Sequence, residues 1–231
     1  MPILIRVPNF RLPSRLVEWM QINCVRERVP SAEKVFLDWE DTPIAAASIG
    51  QVHRAVLKDG RLVAVKVQYP GIADALGADL ANVQVLYNLV SSFALKGLDT
   101  KSIVDEIRVR MLDELDYRIE ARNQQEFANT FRNHPFVHVP EVIPSLSTER
   151  VLTTEWVDGL SFNDFMQRAT PQAKQRAGES IWRFSEHSIL RLGMFNGDPH
   201  PGNYRFSEQG DVTFLDFGLV KRWVPGEWDR L

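Results

Sequence analysis

The sequence is 231 residues long, 44% of them hydrophobic and 25% charged, with a formal net charge of −3. These values are ordinary for a globular protein and give no global indication of binding to nucleic acid or to an anionic membrane. The single cysteine, Cys24, excludes an intrachain disulfide and a multi-cysteine metal site, and the five scattered histidines argue against a zinc site.

The first segment, MPILIRVPNFRLPSR, is too short and too interrupted by proline to be the hydrophobic region of a signal peptide. No apolar run in the sequence approaches the roughly 18 to 20 residues that span a bilayer. We therefore expect a cytoplasmic protein, with peripheral contact to a membrane left open. Residues 1–40 form a separate N-terminal part, with helical stretches between Pro13 and Pro30.

A β-hairpin is predicted next. The runs VHRAVL and LVAVKVQ are rich in β-formers, the KDGR between them is a hairpin turn signal, and the following PG ends the second strand. Lys66 lies in the middle of that second strand. Because side chains alternate along a strand, we expect it to face away from Val65 and Val67.

Two amphipathic helices follow the hairpin, one from Asp74 to Phe93 and one from about Thr100 to Phe131. The second is rich in acidic residues. On a continuous helix Asp116 and Glu120 share a face, whereas Glu114 points about 120° away from Glu120. Acidic residues on a long helix usually face solvent, so this pattern alone assigns no role to them.

The last part of the chain alternates short strands with helices. FVHVPEVI and RVLTTEWVDG are predicted strands, Ser161 caps a short helix, and a long helix covers residues 171–192 and stops at Gly193. Strands around NYRF and VTFLDFG follow. Because strands and helices are segregated, we expect an α+β fold. A boundary is predicted at Asp158-Gly159, where a strand gives way to helix.

Three motifs that follow one another along the chain indicate phosphoryl-transfer chemistry. VAVK places Lys66 as in the third strand of a protein kinase, after the small-residue loop AAASIG. Asp198 and Asn203 have the D-x-x-x-x-N spacing of a kinase catalytic loop, and Asp216 begins DFG. Asp198 can orient an acceptor, and Asn203 and Asp216 offer oxygen ligands suited to Mg²⁺. Each motif alone is also compatible with an ordinary turn or strand, but their conjunction favours a nucleotide site.

The stretches PIAAASIGQVHRA, VAVKVQYPG, ELDYRIEARN, LTTEWVDG, GDPHPGN and LDFG together resemble the UbiB/AarF (ADCK-like) family of atypical kinases. That family includes mitochondrial proteins required for coenzyme Q synthesis. The resemblance implies a two-lobed protein-kinase-like fold with ATP between the lobes. Residues 1–40 would be an N-terminal helical remnant, residues 41–158 an antiparallel-sheet N-lobe, and residues 159–231 a partial helical C-lobe.

The resemblance also implies a role for each candidate residue. The phosphate-binding set comprises the alanine-rich loop and the strand lysine, namely Ala45, Ala46, Ala47, Ser48 and Lys66. The hinge that touches adenine comprises Glu155, Trp156 and Val157. Glu120 would pair with Lys66, Asp198 would be the catalytic aspartate, Asn203 and Asp216 would bind Mg²⁺, and Glu114 with Asp116 would form the regulatory E-x-D motif.

Three departures from the family pattern accompany these matches. The K-x-G-Q motif is absent, so the lysine that Glu114 and Asp116 would meet is missing. The sequence ends at Leu231, soon after Asp216, which predicts a fragment or a shortened member. Asn196-Gly197 stands where a kinase has His before the catalytic-loop aspartate.

The resemblance implies an ATP- and Mg²⁺-dependent atypical kinase or ATPase, linked to isoprenoid quinone metabolism. Its expected partners are nucleotide, a lipid or quinone precursor, a membrane surface or quinone-synthesis proteins, and no nucleic acid. Two alternatives stay open. One is a small-molecule kinase of the aminoglycoside- or choline-kinase type, and the other is a nucleotide-binding pseudokinase or scaffold.

Overall fold

The computed structural model describes residues 32–77 and 100–223. The predicted N-terminal helical stretches, Cys24 and most of the predicted helix from Asp74 to Phe93 lie outside these ranges. Within them, the chain forms two compact units. The first unit contains residues 32–77, 100–117 and 146–152, and the second contains residues 118–145 and 153–223.

The elements follow one another in an α+β order. The strands are β1 (Phe36–Trp39), β2 (Ala45–Ala46), β3 (Gly50–Leu57), β4 (Leu62–Gln68), β5 (Val137–His138), β6 (Val151–Glu155), β7 (Met194–Asn196), β8 (Tyr204–Phe206), β9 (Val212–Phe214) and β10 (Val220–Arg222). The α-helices are α1 (Ala32–Val35), α2 (Thr100–Asp113), α3 (Tyr117–Phe131), α4 (Phe162–Arg168) and α5 (Pro171–Leu192), and residues 72–77 are also helical.

The first unit is built on an antiparallel sheet with the strand order β1-β3-β4-β6, and β2 pairs with β3. The predicted hairpin is confirmed as β3 and β4, and its turn has Gly60 at a φ of 86°. Val65 and Val67 are fully buried, whereas Lys66 between them is half-buried. The predicted alternation along this strand is therefore confirmed.

The predicted continuous helix from Thr100 to Phe131 is wrong, because the chain breaks between α2 and α3. The N–H groups of Leu115 and Asp116 bond three residues back instead of four. The N–H of Tyr117 then leaves the helix altogether and donates to the carbonyl of Glu149 at 2.9 Å. Glu114 and Asp116 therefore lie in a turn, and the expectation that Asp116 and Glu120 share one helix face does not hold.

Capping residues at the helix ends determine where the helices of the second unit begin and end. Ser161 accepts a hydrogen bond from the N–H of Asp164, which confirms it as the cap of α4. Thr170 caps α5 in the same way, and Gly193 ends it in the left-handed conformation at a φ of 63°. These caps satisfy backbone groups that a helix end leaves without a partner in the helix.

The core of the second unit is aromatic. Phe184 of α5 stacks on Phe214 of β9 with ring centroids 3.7 Å apart, and Phe127 of α3 lies 5.4 Å from Phe184. The sheet behind them has the order β5-β9-β8, with β5 parallel to β9, and β7 pairs separately with β10. The predicted strand FVHVPEVI is shorter than expected, since only Val137–His138 forms a strand and Val142 makes an isolated bridge to Thr154.

The predicted α+β fold with an antiparallel sheet is confirmed by these elements. The chain passes from one unit to the other after Tyr117, Ser145 and Leu152. The predicted boundary at Asp158-Gly159 lies between β6 and α4, within the second unit. The predicted division into functional lobes stays a prediction. Among the described residues, no helix has the length and apolar character needed to cross a membrane.

Candidate active site

The predicted catalytic loop joins β7 to β8 and is closed by its own hydrogen bonds. The side-chain Nδ2 of Asn203 donates to Oδ2 of Asp198 at 3.0 Å and to the carbonyl of Asp198 at 3.2 Å. His200 accepts from the N–H of Gly202 through Nδ1 at 3.0 Å, and its carbonyl accepts from the N–H of Asn203 at 2.9 Å. The loop therefore brings Asp198 and Asn203 into direct contact.

The DFG segment follows β9 and is joined to the catalytic loop. The N–H of Leu215 donates to the carbonyl of Asn203 at 2.9 Å. Asp216 follows at once, and its Oδ1 accepts a hydrogen bond from the N–H of Gly218 at 2.9 Å. The two predicted metal ligands, Asn203 and Asp216, thus belong to chain segments that are hydrogen-bonded to each other.

Asn196 connects the same two segments through its side chain. Its Oδ1 accepts from the N–H of Asp198 at 3.2 Å, and its Nδ2 donates to the carbonyl of Asp216 at 2.8 Å. The sequence motifs predict no role for Asn196, which stands with Gly197 where kinases have His. That departure is the signal that could have singled it out.

The donor set in this part of the second unit suits a hard cation. Because Nδ2 of Asn203 is bound to the Asp198 carboxylate, the carbonyl oxygen Oδ1 is the atom it can offer to a metal. This carbonyl and the carboxylate of Asp216 are both oxygen donors, the kind of ligand that Mg²⁺ prefers. Burial, together with the negative charge of Asp198, raises the pKa of Tyr204.

Helix α3 anchors the DFG segment from its other side. The buried side chain of Asn123 donates to the carbonyl of Phe217 at 3.1 Å. Its Oδ1 accepts from the Arg222 guanidinium at 3.1 Å, and Arg222 also contacts Glu126 at 2.7 Å. Phe217 itself is fully buried, with its ring 4.9 Å from that of Phe127. The segment is therefore fixed by its backbone and by its central side chain.

The alanine-rich loop of the first unit is a tight turn. Ala45 and Ala46 form β2, and the N–H of Ala47 donates to the carbonyl of Gly50 at 2.9 Å, which closes the turn. The Ser48 hydroxyl donates to Oε2 of Glu114 at 2.9 Å. The structure therefore brings the predicted phosphate loop into contact with the first residue of the predicted E-x-D motif.

Lys66 lies opposite Val52 in the β3–β4 ladder, and its ammonium nitrogen lies 5.0 Å from the centroid of the Tyr117 ring. This distance is within the range of a cation–π interaction. Glu120, its predicted partner, is 5% exposed and lies in the first turn of α3 in the second unit. The pairing of Lys66 with Glu120, like the role of the half-buried Asp116, stays a prediction.

The predicted hinge residues lie at the end of β6, whose last residue is Glu155. The side chain of Glu155 lies 3.2 Å from Nε2 of His138 and accepts a hydrogen bond from the N–H of Glu141 at 3.2 Å. The His138 contact is the main cause that holds the pKa of Glu155 below its usual value. Trp156 donates from Nε1 to Asp158 at 2.8 Å, and Val157 is half-buried. The contact of Glu155, Trp156 and Val157 with adenine stays a prediction.

Comparison with known families supports the resemblance proposed from the motifs. The model of the ABC1 atypical kinase-like domain matches residues 17–230. Among curated proteins, the chloroplastic protein ACTIVITY OF BC1 COMPLEX KINASE 1 of Arabidopsis thaliana is 38% identical over 81% of this chain and 28% of its own length. An uncharacterized protein in the hydrogenase 1 5′ region of Clostridium pasteurianum is 33% identical over 81% of this chain and 36% of its own.

A solved structure is also similar. Rv3197 of Mycobacterium tuberculosis, determined in complex with erythromycin, has a TM-score of 0.78 and 36% sequence identity, and the match covers 91% of this chain and 52% of that one. This likeness confirms the predicted kinase-like fold. The present chain spans about half the length of Rv3197. It spans 28% of the Arabidopsis thaliana relative and 36% of the Clostridium pasteurianum relative.

Proposed function

The chain belongs to the ABC1 atypical kinase-like family, and from that premise we propose that it is an ATP- and Mg²⁺-dependent atypical kinase or ATPase of the UbiB type. One observation carries the proposal. Asp198 and Asn203 are in direct hydrogen-bond contact, and Asn196 connects their loop to Asp216. Phosphoryl transfer needs these residue types together, because it depends on positioning and on charge stabilisation more than on covalent chemistry.

In this proposal Asp198 orients the acceptor hydroxyl or water and takes up its proton. The hydrogen bond from Asn203 to Oδ2 fixes the orientation of the Asp198 carboxylate. Asn203 and Asp216 would hold a magnesium ion through their oxygen atoms, and the chemistry that such an ion would supply is neutralisation of charge on the phosphates. Oxygen-only ligation agrees with the donor set that these residues present.

The first unit would bind the phosphates through the Ala45–Ser48 loop and Lys66. The centroid of the Tyr117 ring lies 5.0 Å from the Lys66 ammonium, within the range of a cation–π interaction. Glu120 is proposed as the acid that orients Lys66, and Glu114 with Asp116 as regulatory residues, on the basis of the family resemblance.

We propose the phosphoryl acceptor and the pathway separately from the ATP- and Mg²⁺-dependent activity. A link to isoprenoid quinone metabolism, a lipid or quinone-precursor acceptor and contact with a membrane surface are supported by the family resemblance alone. The cytoplasmic location stays an expectation from the sequence. Turnover assays with water, a quinone-precursor mimic and lipid vesicles as separate additions would discriminate among these acceptors. Stimulation by vesicles without phosphorylation of the mimic would favour an ATPase that responds to the membrane.

The decisive test measures Mg²⁺-dependent ATP turnover by the purified chain and by Asp198→Asn and Asp216→Asn. We expect Asp198→Asn to lower kcat by about 10²- to 10⁴-fold, the range typical of a general base, and Asp216→Asn to raise the Mg²⁺ concentration needed for activity. Glu208→Gln, in the exposed turn between β8 and β9, is the matched control and should behave as wild type. Equal turnover by all four proteins contradicts the proposal.

A further inference from the structure

Asn196, the last residue of β7, makes two hydrogen bonds in opposite directions. Its Oδ1 accepts from the N–H of Asp198 at 3.2 Å, and its Nδ2 donates to the carbonyl of Asp216 at 2.8 Å. The half-buried side chain of Asn196 is therefore hydrogen-bonded to the main chain of both Asp198 and Asp216. The partners also fix the orientation of the amide, because an N–H can only donate and a carbonyl can only accept.

The backbone around Asn196 supports this arrangement. In the β7–β10 pair Asn196 lies opposite Val220, and the N–H of Gly197 donates to the carbonyl of Leu219 at 2.8 Å. A Cβ at position 197 would lie 3.1 Å from the Leu219 side chain, so glycine allows this close approach. The two segments that carry Asp198 and Asp216 are thus joined in two ways. Main-chain hydrogen bonds connect β7 to β10, and the carboxamide of Asn196 connects Asp198 to Asp216.

A carboxamide is required for this double contact. Asparagine carries a donor and an acceptor on one short planar group, whereas an ionised aspartate carries acceptors only. An aspartate at position 196 would keep the bond from the Asp198 N–H and would turn a carboxylate oxygen toward the carbonyl of Asp216. The chemical change from amide to carboxylate therefore breaks one of the two contacts at nearly constant side-chain volume.

We propose that Asn196 is the positioning residue that holds Asp198 and Asp216 at a fixed separation for phosphoryl transfer. This inference rests on the proposed function. Asn196 acts through the backbone of both aspartates and touches neither the nucleotide nor the reacting atoms. A displacement of about 1 Å of one catalytic group can lower a rate by about 10²-fold, so loss of this connection affects the chemical step.

The test compares Asn196→Asp and Asn196→Ala with Asn163→Asp, an identical chemical change on the exposed face of α4. We expect both Asn196 variants to lower kcat by about tenfold or more and to need more Mg²⁺ for half-maximal activity. KM for ATP should change by less than about twofold, because the nucleotide contacts lie elsewhere. Asn163→Asp should match wild type in all three quantities. A kcat of wild-type size in the folded Asn196→Ala protein overturns the inference.

Hydrogen exchange gives a readout that does not depend on activity. We expect Asn196→Ala to accelerate exchange of the Gly197 and Leu215 amides, which donate across the two segments to the carbonyls of Leu219 and Asn203, and Asn163→Asp to leave both unchanged. If the wild-type chain shows no turnover, the proposed function fails, and exchange alone decides whether Asn196 connects the segments. Unchanged exchange at both amides in Asn196→Ala overturns the inference. If Asn196→Asp does not fold, Asn196→Ala carries the comparison.

Discussion

Ser48 of the alanine-rich loop donates a hydrogen bond of 2.9 Å to Glu114, 66 residues further along the chain. Glu114 lies in the turn that separates α2 from α3, so the loop is attached to the point where the acidic helix is broken. A hydroxyl bonded to a carboxylate is a charge-assisted contact and is stronger than a bond between neutral groups. The hydrogen bond to Glu114 therefore helps to hold the predicted phosphate loop in position.

Ser48→Ala and Glu114→Gln should each destabilise the loop, and their effects should not add. We expect a coupling free energy of about 0.5–1 kcal/mol in a double-mutant cycle, since the pair is exposed to solvent. The measurement is the free energy of unfolding in urea for the wild type, both single variants and the double variant. A parallel cycle with Asp113→Asn in place of Glu114→Gln should be additive. Strict additivity in the Ser48–Glu114 cycle shows that the contact contributes nothing.

Gly50 opens strand β3 where two groups approach its backbone closely. A Cβ at this position would clash with the carbonyl of Val67 and would lie 2.8 Å from the hydroxyl of Tyr117. Because the nearest atom belongs to the backbone of β4, the strands must separate to admit a methyl group. We expect Gly50→Ala to lower the free energy of unfolding by about 1–3 kcal/mol, measured by urea denaturation.

Gly178 supplies the control for that measurement. It lies in the middle of α5, and a Cβ there would meet no atom within 4 Å. Gly178→Ala should stabilise the protein by about 0.5–1 kcal/mol, because alanine has the higher helix propensity. Opposite signs at the two glycines are the expected result. A Gly50→Ala protein as stable as the wild type contradicts the clash.

Those features of the fold that depend on neighbouring residues could be predicted from the sequence. Ser161 begins α4 and Gly193 ends α5 as predicted, because caps act within one turn of the chain. The β3–β4 hairpin follows from its turn, and the half-buried Lys66 follows from strand alternation. The resemblance was carried by whole motifs, and the family match confirms it.

Long-range contacts account for what the sequence did not predict. The helix from Thr100 breaks because the N–H of Tyr117 bonds to Glu149 and the carbonyl of Leu115 accepts from Gln68 at 2.7 Å. Helix periodicity contains no information about such partners. The contact of Asn196 with the DFG segment was missed for the same reason, since its side chain bonds to the carbonyl of Asp216, 20 residues further along the chain. The roles of the site residues stay predictions.

His53 should make the stability of the protein depend on pH. Its Nδ1 lies 2.9 Å from the carbonyl of Glu40, so the neutral ring carries its proton there and accepts from Nε2 of Gln51 through its own Nε2 at 2.9 Å. Burial lowers the pKa of His53 below its ordinary value of 6.5, against the opposing effects of the Glu40 carbonyl and Asp41. Protonation would place a second donor against Gln51.

The sign of the effect follows from proton linkage. Below pH 6.5 the unfolded chain takes up a proton at His53 more readily than the folded chain does. The stability contributed by neutral His53 is therefore present above that pH and is lost as the pH falls below it. Urea denaturation from about pH 7.5 to about pH 5.5 should show a smaller decrease for His53→Gln than for wild type. Parallel decreases in the two proteins contradict this assignment.

Asn123 of α3 should be essential for anchoring the DFG segment. It is 7% exposed, donates to the carbonyl of Phe217 at 3.1 Å and accepts from Arg222 at 3.1 Å. Asn123→Ala removes both bonds and leaves a buried carbonyl without this donor, which we expect to cost about 1–3 kcal/mol of unfolding free energy. Asn129→Ala, on the exposed side of the same helix, should change it by less than about 0.5 kcal/mol. Urea denaturation of both variants gives the comparison, and equal losses would show that Asn123 stabilises α3 alone and does not anchor the DFG segment.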